Sequence, residues 1–174
     1  MRRLTVLAAI LAVCFAVTVN AQEKNARAFK EPASDLPYKV TVSNIILGNQ
    51  AYAQKVLWIY KYYEDNTLDK IAELLADDVV ASFSDGTIVR GKVNLIKAYK
   101  EARNSFTSSK ITVDACLTLK SPDVPDREAV SIWGSEMATT KDGSVIKMYG
   151  NEVYYFNIDG KVIEVRSMTA KVNQ

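Results

Sequence analysis

Three hydrophobic patterns follow one another along the chain: an unbroken apolar run, a stretch with helical spacing, and a long stretch of alternation. The run covers Leu4 to Val19, broken only by Thr5 and Thr18. From about residue 48, Ala53, Val56, Leu57, Tyr60 and Tyr63 recur at helical spacing and predict a first helix over roughly residues 48 to 64. Asn66 or Thr67 can cap a short second helix that buries Leu68, Ile71, Leu74 and Leu75. After a short strand at residues 79 to 83, Gly91 precedes a third helix, about residues 92 to 105, with Val93, Leu95, Ile96 and Tyr99 facing inward. Alternation then takes over. Ile111, Val113, Ala115, Leu117 and Leu119 interleave with Lys110, Thr112, Asp114, Cys116 and Thr118, as in a strand with one face on a core.

Asp142-Gly143 and Asp159-Gly160 are short hairpin signals that join three consecutive long strands. Read as tight two-residue turns, they place Trp133 opposite Glu152, Met137 opposite Met148, Glu152 opposite Ser167 and Tyr154 opposite Val165. Directly paired residues share a face. The inward set is then Trp133, Met137, Ile146, Met148, Glu152, Tyr154, Phe156, Ile163, Val165 and Ser167. Ile132, Glu136, Tyr149, Val153, Tyr155, Glu164 and Arg166 point outward. A one-residue slip, for example at a bulge near Gly150, exchanges the faces.

The first apolar run changes the reading of the N-terminus. Met1-Arg2-Arg3 supplies a positive start and Val19-Asn20-Ala21 a cleavage-like end, so residues 1 to 21 are expected to be a secretory signal peptide. The run is short for a permanent span. Lipidation at Cys14 is the lesser alternative, because Val13 precedes it. Residues 22 to 46, with Pro32 and Pro37, are expected to form an N-terminal arm, and residues 47 to 174 the domain. The expected location is extracytoplasmic, periplasmic or secreted, with no membrane span after the signal is removed. Cleavage leaves Cys116 as the lone cysteine, so a chain of about 150 residues must be stabilised by its core and not by a disulfide.

Without Arg2 and Arg3 the basic and acidic residues balance at 20 each, and no cluster tracks phosphates, so a nucleic-acid partner is not expected. The chain has no histidine. That removes the side chain best poised for proton transfer near neutral pH and the usual ligand of transition metals. Asp77, Asp78 and Asp85 read as turn residues before they read as ligands; no metal and no cofactor are expected.

Ile71-Ala72-Glu73-Leu74-Leu75-Ala76-Asp77-Asp78-Val79, Asp85-Gly86, Gly91 with Ile96 and Tyr99, and the closing run Val153 to Arg166 resemble the nuclear-transport-factor-2-like superfamily, with its SnoaL-like proteins and ketosteroid isomerases. The resemblance implies an α+β cone in which three N-terminal helices pack on a strongly curved antiparallel sheet around a pocket, often as a homodimer. Its isomerase members use a tyrosine on the first helix and an aspartate on the early strand. Here those positions fall on Ile59, one residue before Tyr60, and on Ser82 or Phe83, none of which matches the required group.

Candidate ligand-contacting residues are therefore Tyr60, Phe83, Trp133, Met137, Met148, Glu152, Tyr154 and Ser167, with Glu152 the candidate catalytic group. Placed inward between Trp133 and Ser167, Glu152 loses hydration, which favours its neutral acid. As ordinary core filling, the same aromatics and methionines need no ligand. Trp58 and Tyr62 form a second aromatic surface on the first helix. The outer sheet face, with Tyr149, Val153 and Tyr155 among charges, suits a homodimer. The leading expectation is a non-catalytic domain that binds a small apolar or ring-bearing ligand. The alternatives are a SnoaL-like isomerase, cyclase or hydratase using Glu152 as acid or base, and a dimeric module with a filled core.

Overall fold

The computed structural model describes residues 38, 40–42 and 44–172; the expected signal peptide and most of the expected arm lie outside the described residues. Apart from Tyr38, all of these belong to the unit Val40–Gln174. The elements are β1 (Ile46–Leu47), α1 (Gln50–Glu64), a 3-10 helix (Leu68–Leu74), β2 (Leu75–Ser82), β3 (Ile88–Arg90), α2 (Lys92–Asn104), β4 (Phe106–Lys120), β5 (Arg127–Thr140), β6 (Val145–Asn157) and β7 (Val162–Lys171).

The first helix begins where the Asn49 side chain accepts the Ala51 N–H, at an N-cap. It buries Ala53, Val56 and Ile59 against the sheet. Its C-terminal end is held by Arg103 of α2, which is buried and donates to the carbonyls of Tyr63, Glu64 and Phe106. The Tyr63 and Glu64 carbonyls lie at the negative end of the helix dipole, to which a guanidinium is well matched, and Phe106 opens β4, so one side chain ties helix to strand. The second helix is a 3-10 turn, and its three-residue spacing suits Leu68 and Ile71, both fully buried. In α2 Leu95 is buried as expected, whereas Val93 is exposed.

One seven-stranded sheet runs in the order β1-β4-β5-β6-β7-β2-β3. It is open, with unpaired outer strands, and its irregularities are local bulges, so it is neither closed nor strongly curled. This corrects the expected strongly curved antiparallel sheet. The sheet is also mixed, because β2 runs parallel to β7. These two strands are distant in sequence, so no hairpin fixes their relative direction.

The hairpin loops reset the register. At Lys141-Asp142-Gly143 the loop has three residues: Gly143 N–H donates to Thr140 O and Thr140 N–H to Ser144 O, with Gly143 at φ +86°. A turn followed by a left-handed glycine lengthens the two-residue loop by one. Ile132 therefore faces Glu152 and Glu136 faces Met148, one position away from the tight-turn register. The loop Ile158-Asp159-Gly160 repeats the device, with Gly160 at φ +69°. There a bulge between Tyr155 and Phe156 cancels the shift, so Glu152 faces Ser167 and Tyr154 faces Val165 as expected.

Strand β4 slips as well. An irregularity between Val113 and Ala115 leaves Asp114 without a partner, so the alternation changes face. Beyond it, Thr118 is buried at 1 % exposure and Leu117 is exposed, the reverse of the expected strand face. Gly134 lies against this bulge; a Cβ there would lie 2.3 Å from Thr112 O.

The core joins Val56, Ile59, Leu68, Ile71, Leu75, Val79, Leu95, Val130, Ile132, Tyr154, Phe156, Val162 and Val165. Tyr52 stacks on Phe156 with centroids 4.5 Å apart. No described helix is long and apolar enough to cross a membrane.

Candidate active site

Between the helices and the inner sheet face lies a cavity of about 370 Å³. Its apolar walls include Ile59, Ile71, Phe83, Phe106, Ile111 and Met148, and its polar groups are Tyr60, Tyr63, Tyr99, Glu136, Glu152, Tyr154 and Ser167. An open space of this size argues against a core filled by side chains.

Glu152 is the hub. Its position on β6 puts it on the inner face, across from Ile132 on one side and Ser167 on the other. The hydroxyls of Tyr60 and Tyr154 donate to Oε2 at 2.9 and 2.6 Å, and Ser167 Oγ donates to Oε1 at 2.6 Å. Three hydroxyl donors converge on a group that, as a carboxylate, only accepts. Charge-assisted bonds of this kind fix the carboxyl within the cavity wall. Tyr60 and Tyr154 also meet edge to face at 6.4 Å.

The phenols are held neutral. Burial and then the Glu152 charge push Tyr60 and Tyr154 far above the ordinary tyrosine value. Tyr63 is raised by burial and by Glu136, and Tyr99 by burial and by Glu152. The Tyr99 hydroxyl differs from the others. Among the described residues it is the one buried side-chain polar atom with no hydrogen-bond partner within 3.5 Å, although the Tyr154 hydroxyl is close enough to act on it as a weak hydrogen-bond partner and offset part of its shift. Phe83 meets the Tyr99 ring edge-on at 6.3 Å. A buried, unpaired donor is costly and is relieved by a ligand acceptor.

Glu136 is a second carboxyl in the wall. Burial raises its pKa, against the opposing influence of Ser109 and Arg103. Ser109 Oγ donates to Oε1 at 2.6 Å.

Of the residues named from sequence, Tyr60, Phe83, Met148, Glu152, Tyr154 and Ser167 line the cavity. Trp133 and Met137 do not: the one-residue register shift turns them to the outer face, 38 % and 52 % exposed. The same shift brings in Glu136, which the tight-turn register had put outside. Tyr63 and Tyr99, packing positions in the sequence pattern, line the cavity too. The signal for Glu136 was present in the loop, where a glycine after Asp142 is equally compatible with a three-residue turn.

The remaining candidates have surface partners. Asp77 pairs with Lys92 at 2.5 Å, and Asp85 accepts the Thr87 N–H. Among the described residues no cluster of three metal-ligating side chains occurs. Trp58 stacks on Tyr62 at 5.5 Å and is exposed. The Cys116 thiol is raised by burial, which disfavours the nucleophilic thiolate.

The sequence profile of the SnoaL-like domain matches residues 58–165, and the chain belongs to that family. No curated protein matches it by sequence. Among solved structures, it resembles a protein assigned as a scytalone dehydratase from Novosphingobium aromaticivorans (TM-score 0.60, 14 % identity, 72 % of this chain and 87 % of the other). A protein assigned as a SnoaL-like polyketide cyclase from Shewanella denitrificans gives a TM-score of 0.58 at 12 % identity, over 70 % and 92 %. One assigned as a ketosteroid isomerase from Kribbella flavida gives 0.55 at 16 %, over 74 % and 84 %. At these identities the likeness establishes the fold.

The expectation of a non-catalytic binding domain is corrected at this point. It rested on two family positions, Ile59 and Ser82 or Phe83, that lack the required groups. The cavity instead gathers a carboxyl, Glu152, and phenols from other elements, equipment for proton transfer.

Proposed function

We propose that the protein is an acid/base enzyme that moves a proton on a small, largely apolar carbonyl compound, in an isomerase, cyclase or hydratase reaction. The observation that carries this reading is Glu152, fixed inside the cavity by Tyr60, Tyr154 and Ser167. In the proposed step a C–H bond next to the substrate carbonyl breaks. Its proton passes to Glu152 and its electron pair to the carbonyl oxygen, giving an enolate. The Tyr99 hydroxyl donates to that oxygen, where its missing partner is supplied as charge develops. Return of the proton from Glu152 to another atom of the conjugated system completes an isomerisation.

Two further parts of the reading come from sequence and surface. Residues 1 to 21 direct export, with lipidation at Cys14 the lesser route. The outer face, where Trp133, Tyr149 and Met168 are exposed and Arg127, Glu164 and Arg166 pair, joins two copies.

The test is α-proton exchange of 2-tetralone in deuterated buffer, followed by NMR. The wild-type protein is expected to accelerate exchange, and Glu152→Gln to lower the rate by about 10²–10⁴-fold, the usual share of a positioned acid or base. Equal acceleration by the variant rules out Glu152 as the base.

A further inference from the structure

The cavity floor between its two carboxyls has no side chains. Along β5 and β6 the inner-face pairs are Ile132 with Glu152, then Gly134 with Gly150, then Glu136 with Met148. All but Ile132 line the cavity. The backbone distance from the first pair to the third is about 13 Å, four residues at strand rise. Between them neither glycine carries a side chain: Gly134 lies against the Thr112 carbonyl of β4 and Gly150 beside Thr169, in a cavity also lined by Tyr60, Tyr63 and Tyr99.

The two ends differ chemically. At the Glu152 end both carboxyl oxygens are already hydrogen-bonded and the unpaired group is a donor, Tyr99. At the Glu136 end Oε1 accepts from Ser109, whereas Oε2 makes no hydrogen bond with a described residue; Arg103, whose three nitrogens each donate to a carbonyl, acts on this carboxyl through its charge alone. One end therefore has room for an acceptor at Tyr99, and the other for a second donor beside Ser109. Ile111 and Met148, the strand partners of Glu136, offer it nothing polar.

Building on the proposed proton-transfer site, we propose that Glu136 is a specificity-determining residue for a flat fused-ring substrate. The ring system lies across Gly134 and Gly150. Its carbonyl is at Tyr99 and Glu152, and a hydroxyl or ammonium at its far end donates to Glu136 Oε2. The apolar ring covers the glycine step and its far-end donor satisfies Oε2, so substrates without that donor leave one oxygen of a partly dehydrated carboxyl unpaired.

The test uses 6-hydroxy-2-tetralone and 6-methoxy-2-tetralone, of which only the first can donate at the far end, with dissociation constants measured by NMR titration. The wild-type protein is expected to prefer the hydroxy compound by about tenfold, the worth of one hydrogen bond to a charged group. Glu136→Leu is expected to bring the two probes to similar affinity. Gly150→Val, where a Cβ meets nothing closer than 3.7 Å, is expected to weaken both probes together by covering the floor. Binding of both probes by wild type without preference, or a preference that survives Glu136→Leu, overturns the inference and leaves the Glu152 reading standing. Absence of binding by either probe overturns both.

Discussion

The Tyr60 hydroxyl on α1 donates to Glu152 Oε2 at 2.9 Å, joining a helix and a strand 92 residues apart in sequence. Tyr154, two residues along β6 from Glu152, donates to the same oxygen at 2.6 Å. The helix thus reaches the acid through one side chain, while the strand supports it locally. This difference separates what Tyr60 and Tyr154 contribute.

Tyr60→Phe should lower proton-exchange activity by about tenfold and stability by about 2 kcal/mol, the scale of a hydrogen bond to a charged group. Tyr154→Phe should cost more stability than Tyr60→Phe, because the Tyr154 hydroxyl makes the shorter bond to Glu152 and is fully buried, so water cannot replace it. Urea unfolding of both variants beside the exchange assay gives the comparison; an unchanged rate in Tyr60→Phe contradicts its role in holding Glu152.

Alkaline titration should divide the nine tyrosines of the chain. Tyr60, Tyr63, Tyr99 and Tyr154 are all raised above the ordinary 10.0, chiefly by burial. A group whose folded value is raised binds more protons in the folded state, so its stabilisation is complete below the unfolded value and is lost as pH rises beyond it. Tyrosinate absorbance should therefore show these four staying protonated past 10.0 and ionising together when the chain unfolds. Smooth ionisation of all nine near 10.0 is the contrary result.

Glu136 gives a pH effect at the acid end. Its folded value lies above the ordinary 4.5 because of burial. The folded state therefore holds the proton more tightly, and stability falls as pH rises from 4.5 through the raised value. Glu64 acts oppositely, since the Ile111 N–H lowers its value and stability is lost on acidification. The informative quantity is the difference between Glu136→Gln and wild type. The variant should gain relative stability as pH rises through that window, measured by denaturant midpoints; a constant difference is evidence that Glu136 is fully hydrated.

Gly134→Ala should destabilise the protein by about 2–4 kcal/mol, because the new Cβ meets Thr112 O at 2.3 Å and backbone on β4 or β5 must move. Thermal unfolding measures the loss, and a shift of less than a degree would mean that the β4 bulge yields freely.

The helices were legible because each carries its own period: Ala53, Val56 and Tyr60 on α1, and Leu95 and Tyr99 on α2, mark the inward side without reference to the rest of the chain. Loop positions were legible for the same reason, since Asp142-Gly143 and Asp159-Gly160 are local turn chemistry. Half of the candidate site followed from the second hairpin, where a three-residue loop and the bulge at Tyr155 and Phe156 cancel and Glu152 meets Ser167. The first hairpin has no such bulge. A tight-turn register therefore turns Trp133 and Met137 inward and Glu136 outward, the reverse of the structure.

The sequence by itself determined the two long helices, the long strands β4 to β7, the hairpin loops that join β5, β6 and β7, and that Glu152 and Tyr154 share a face with Ser167, because these depend on residues near one another or on an alternation that two correct positions anchor; the early start of β2 at Leu75 and the short strands β1 and β3 did not follow from it. Tertiary structure alone decided the one-residue details: the extra loop position at Gly143, the β4 bulge beside Gly134, and the parallel alignment of β2 with β7. A strand has period two, so one added residue exchanges its faces at almost no cost visible in composition. Only packing between distant elements selects the face that places Glu136, Glu152 and the unpaired Tyr99 hydroxyl around the same cavity.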